Sequence, residues 1–81
     1  MNIYVGNLSY EVNDAKLNEI FSEFGSVKSA KVIMDNSSGR SKGFGFVEMD
    51  DQAAAQAAMS KLNGRDLLGR SITVNEARPR A

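Results

Sequence analysis

The 81-residue sequence predicts an α+β, ferredoxin-like sandwich: a four-stranded antiparallel sheet with two helices on one face. Three observations carry this. Four short stretches are rich in β-branched and aromatic residues, and two others place apolar residues at helical spacing. The six run in the order β-α-β-β-α-β, which folds as split βαβ units and leaves one sheet face without helices.

The first strand is Asn2-Ile-Tyr-Val-Gly6, ended by Gly6-Asn7. Asn13 is a suitable N-cap with Asp14 in the first turn, and Leu17, Ile20, Phe21 and Phe24 follow on one helical stripe. Gly25 stands at the expected stop. Residues 27–35 alternate loosely as a second strand, and 36–41 hold only turn-forming and charged residues, hence a hairpin loop. Lys42–Met49 is a third strand, weakened by two glycines unless something requires them. Asp51 caps a second helix to Leu62, whose Ala55 and Ala58 let it lie close to a sheet, and Asn63-Gly64 ends it. Leu67-Leu68-Gly69 reads as a loop covering the core, and Ser71–Ala77 as the last strand. The length admits one domain, residues 1–78, followed by a basic tail at 79–81.

The sequence has no Cys and no His, so disulfides and the common zinc sites are not expected, nor is nucleophile or imidazole-base chemistry. Gly43-x-Gly45 lacks the spacing and the following helix of a phosphate loop. We therefore expect no enzyme, no cofactor and no small-molecule substrate. No apolar run approaches the ~20 residues that span a bilayer. The start of the sequence does not resemble a signal peptide. The expectation is a soluble, cytoplasmic monomer.

Ten basic and ten acidic residues cancel, but they are unevenly distributed. Residues 9–25 carry Glu11, Asp14, Glu19 and Glu23 against Lys16. Residues 26–49 carry Lys28, Lys31, Arg40 and Lys42 against Asp35 and Glu48, and residues 64–81 carry Arg65, Arg70, Arg78 and Arg80 against Asp66 and Glu76. Acidic helices and basic strands would sort charge onto two sides.

Strand alternation assigns the open face. In the third strand Val47 and Met49 belong to the core, with Gly43 and Gly45 on the same side. Lys42, Phe44, Phe46 and Glu48 then face outward, two large aromatics between two charges. The same logic puts Ile3, Val5, Ala30, Val32, Met34, Ile72 and Val74 inside. Tyr4, Lys31, Ile33, Thr73 and Asn75 fall outside. The open face thus collects Tyr4, Phe44, Phe46 and Ile33, rimmed by Lys31, Lys42, Asn75 and Arg78. Rings framed by cations suit single-stranded nucleic acid: bases stack on rings at about 1–3 kcal/mol each, and cations hold phosphate. Gly43 and Gly45 should relax packing behind the two Phe and let the helix layer come close. Tyr10 is expected to pin the first loop to its helix rather than to touch a ligand.

Lys42-Gly-Phe-Gly-Phe-Val-Glu-Met49 matches the octamer signature of the RNA recognition motif at seven of eight positions. Ile3-Tyr-Val-Gly-Asn-Leu8 resembles that family's hexamer on the first strand, at the expected separation. The resemblance runs from Asn2 to about Arg78 and is similar to small single-motif proteins of bacteria, notably cyanobacteria. It implies single-stranded RNA as partner, single-stranded DNA more weakly, and a role in post-transcriptional regulation or RNA chaperoning. It implies that Tyr4 and Phe44 stack on successive bases, that Phe46 packs against sugars and that Lys42 meets phosphate or a base edge. Asn75, Glu76, Ala77 and Arg78 resemble the segment that contacts base edges. Met49 departs from the signature, where an aromatic is usual. The competing reading is a protein-interaction module using the helical face; such variants generally lose the outward aromatics kept here.

Overall fold

A computed structural model describes residues 1–39 and 41–77. The chain runs β1 (Asn2–Gly6), α1 (Asp14–Ser22), β2 (Val27–Met34), β3 (Ser41–Met49), α2 (Gln52–Leu62), β4 (Asp66–Leu67), β5 (Arg70–Ser71) and β6 (Thr73–Glu76). Four strands form one antiparallel sheet, as the sequence predicts, and their order is β2-β3-β1-β6.

Both helices begin where their caps lie. Asn13 is extended, and its Oδ1 accepts the Lys16 backbone N–H at 2.8 Å. Asp51 Oδ1 accepts from the N–H groups of Ala53 (2.9 Å) and Ala54 (3.2 Å). Each cap satisfies donors that the first turn leaves unpaired, worth about 1 kcal/mol. Leu17, Ile20 and Phe21 of α1 and Ala55, Ala58 and Leu62 of α2 are buried against Ile3, Val5, Val47, Met49 and Val74 of the sheet. Fully burying a Leu, Ile or Phe side chain stabilises by about 1.5–3 kcal/mol. Met49 is 0 % exposed, so at this position the departure from the octamer signature is met by core packing.

The two edge strands are blunted from the helix side. On β2, the outward Val32 N–H donates to Asp14 Oδ1 at 2.7 Å; on β6, the Val74 N–H donates to Asn63 Oδ1 at 3.0 Å. Such groups would otherwise be open to pairing with another strand.

Two features differ from expectation. The first lies in the β2–β3 ladder. Val32 pairs with Gly45, but Met34 already pairs with Ser41, so one residue of β2 is matched by three of β3. Gly43 takes up the excess at φ +84°, a left-handed conformation that glycine adopts without penalty. Alternation fails across this irregularity, and Met34, expected inside, is 51 % exposed. The second is the β4–β5 hairpin, where a loop was expected. Its turn residues Leu68 (φ +52°) and Gly69 (φ +86°) are both left-handed, the signature of a type I′ turn. Leu67 packs against the core, but Leu68 at the tip is 53 % exposed and covers nothing. Asn7 ties this hairpin to the end of β1: its Nδ2 donates to the Ser71 carbonyl, and its Oδ1 accepts from Arg70 Nη2, both at 2.7 Å.

Candidate nucleic-acid interface

The ladder registers build the open face row by row. Tyr4 on β1 pairs with Phe46 on β3 and with Asn75 on β6, and Phe46 pairs with Lys31 on β2. Lys31, Phe46, Tyr4 and Asn75 therefore cross the sheet as one line. Phe44 joins from the other side of Gly45. Ring centroids lie 5.8 Å apart for Tyr4–Phe46, 6.0 Å for Tyr4–Phe44 and 6.2 Å for Phe44–Phe46. These spacings are those of edge-to-face and tilted aromatic pairs, so the rings support one another while leaving surface free. Phe46 is the most open at 40 % exposure; Tyr4 and Phe44 are half-buried.

Two glycines shape this surface in ways that alternation did not reveal. A Cβ at Gly45 would lie 2.5 Å from the Lys31 carbonyl oxygen and 3.0 Å from Val32 Cα. Gly45 thus lets β2 and β3 approach each other; the expected role, admitting the helix layer, is not what the packing there requires. A Cβ at Gly6 would meet the Tyr4 ring within 2.6–2.9 Å, so the bare backbone of Gly6 is what the ring lies over.

Lys31, Lys42, Asn75 and Glu76 are exposed, and Ile33 and Ala77 are half-buried. Glu76 pairs with the core residue Ile3, which puts it on the helix-side register and not on the line of Tyr4 and Asn75. Ala77 stays beside the sheet through its N–H to the Asn2 carbonyl, at 2.8 Å. Arg78, assigned to the rim, lies outside the described residues, as do Arg40 and Arg80. Tyr10 is not pinned to the helix. It is 71 % exposed, with its ring 3.6 Å from where a Gly43 Cβ would stand.

A second line lies one pleat beyond the first. Glu48 on β3 pairs with Asn2 on β1 and with Ser29 on β2. Together with Lys31, Phe46 and Ala77 these three line a depression on the open face. Strand alternation could have placed Asn2 and Ser29 there, but short polar residues without a motif gave no reason to select them. Lys28 Nζ lies 3.6 Å from Glu48 Oε2 and 4.0 Å from Asp50 Oδ1, an exposed arrangement worth at most about 1 kcal/mol. Among the described residues no group of three or more acidic, His or Cys side chains could hold a metal, and no helix is long and apolar enough to cross a membrane.

Residues 3–73 match the RNA recognition motif family. The chain is 50 % identical over 80 residues to RbpB of the cyanobacterium Nostoc sp. strain PCC 7120, covering 99 % of this chain and 78 % of that one. Among solved structures, the crystal structure of RNA Binding Protein PG1 superposes with a TM-score of 0.95 at 47 % identity, covering 100 % of this chain and 98 % of that one. The Rna15 RRM with bound RNA (GU) superposes with a TM-score of 0.86 at 28 % identity, covering 96 % and 83 %.

Proposed function

The chain belongs to the RNA recognition motif family, and from that premise we propose that it binds single-stranded RNA across the β2-β3-β1-β6 face. The observation that supports this best is the convergence of Tyr4, Phe44 and Phe46, with centroids within 6.2 Å, on a sheet face that neither helix covers. Three large apolar rings on an open surface are a burden to a soluble domain unless a ligand covers them. Bases do so at about 1–3 kcal/mol per ring.

The exposures favour one change in the roles that the octamer resemblance implies. Phe46 leaves the most ring surface open, so it and Tyr4 take the base faces. Phe44, half-buried beside the Gly43 irregularity, takes a sugar edge. Lys31 and Lys42 attract phosphate, and Asn75, Ala77 and Arg78 meet base edges where β6 ends. Stacking does not separate RNA from DNA, so single-stranded DNA uses the same rings and binds more weakly only by the contacts to the 2′-hydroxyl that it lacks. Such binding fits a cytoplasmic monomer acting on transcripts, in regulation or as an RNA chaperone.

Fluorescence anisotropy with labelled single-stranded RNA tests this reading. Phe46→Ala should weaken binding by about 1–3 kcal/mol, roughly 5- to 150-fold, and Phe44→Ala by less, with circular dichroism unchanged in both. Equal binding by both variants and the wild type would refute the aromatic platform.

A further inference from the structure

We propose that the line Ser29–Glu48–Asn2 makes this surface selective for guanine in the base that stacks on Phe46. The inference rests on the RNA-binding reading and adds a base identity to it.

Register places the two lines. Phe46 and Glu48 share a strand face one pleat apart, about 7 Å along β3. Glu48 is flanked directly by Asn2 and Ser29 on the neighbouring strands. All three line the depression that Phe46 and Lys31 also wall. A base lying on the Phe46 ring and extending into this depression presents its hydrogen-bonding edge to Glu48.

A carboxylate only accepts hydrogen bonds, through two adjacent oxygens. Its partner must therefore offer two adjacent donors. Of the four Watson–Crick edges only that of guanine does so, with N1–H beside the N2 amino group. Uracil has one donor between two carbonyls, so its second carbonyl would face a carboxylate oxygen. Adenine and cytosine each set a bare ring nitrogen beside the amino group, with the same repulsion. Phosphate fits poorly here because Glu48 would repel it. Lys28, 3.6 Å from Oε2, offsets part of that negative charge and so lessens the repulsion between this face and the rest of the strand.

The test uses labelled pentauridine RNA and the same pentamer with its central uridine replaced by guanosine, adenosine, cytidine or inosine. Inosine keeps N1–H and loses the N2 amino group. The readout is the ratio of each affinity to that of pentauridine. Wild type should favour guanosine about tenfold, the discrimination typical of a bidentate base contact, and inosine should lose most of that factor. Glu48→Gln should bring the guanosine ratio to about one and abolish the difference between guanosine and inosine. Glu23→Gln, an exposed change next to α1, should keep the wild-type ratios. Equal wild-type affinity for all five RNAs, or a guanosine preference that survives Glu48→Gln, would overturn the inference and leave the platform standing. Failure of all five to bind would overturn the platform as well.

Discussion

Replacing Gly45 by Ala tests whether β2 and β3 lie as close as the ladder indicates. The added methyl carbon would stand 2.5 Å from the Lys31 carbonyl oxygen and 3.0 Å from Val32 Cα. Real contacts of this kind lie near 3.5–4.0 Å, so about an ångström must be found. Both obstructing atoms are backbone, and neither can rotate away as a side-chain end could. Relief requires β2 to part from β3, and β2 is an edge strand held otherwise by α1 and the Asp14–Val32 bond. Overpacking of this kind costs about 1–3 kcal/mol. For a domain of this size each kcal/mol lowers Tm by about 4–8 °C, so a fall of roughly 8–16 °C is expected for a 2 kcal/mol loss. Thermal unfolding followed by circular dichroism measures it, with a urea titration to give the free energy. RNA binding should weaken too, because Lys31 moves relative to Phe46, its register partner. A variant within about 0.5 kcal/mol of wild type would refute the argument, since β2 and β3 would then have room that the ladder denies.

Asp14→Ala removes the acceptor of the Val32 N–H on the outer edge of β2. A hydrogen bond to a charged group contributes about 1.5–3 kcal/mol, so the urea midpoint should fall accordingly with an unchanged slope, and Asp14→Asn should recover part of the loss. An unchanged midpoint for the Ala variant would mean that water serves that N–H equally well. In RNA binding, Lys31 and Lys42 as phosphate contacts predict a slope of log affinity against log salt near −1.4, at about −0.7 per contact. A slope steeper than about −3 would show that further basic residues dominate.

Local signals carried the helices and the first strand. Asn13 and Asp51 cap where short polar side chains should, and Asn2–Gly6 begins and ends as its β-branched pattern requires. The hairpin at Leu68-Gly69 was hidden because type I′ turns are usually marked by Asn-Gly, and Leu in the left-handed region carries no such mark. Met34 was misplaced for a longer-range reason. Alternation assumes an unbroken ladder, and nothing in residues 27–35 announces that three residues of β3 oppose one of β2.

For the site, the sequence alone placed Tyr4, Phe44 and Phe46 together on the sheet face opposite the core. Side-chain period in a strand is two, so Phe44 and Phe46 could not both be core while Val47 and Met49 were, and the fold order left that face uncovered. Tertiary structure decided how the pieces align, because cross-strand register depends on contacts far apart in the chain. It set Tyr4 opposite Phe46 and Lys31 beside them, put Gly45 against the Lys31 carbonyl, and moved Glu76 off the aromatic line. It also brought Asn2, Ser29 and Glu48, residues with no motif in common, into one row across the open face.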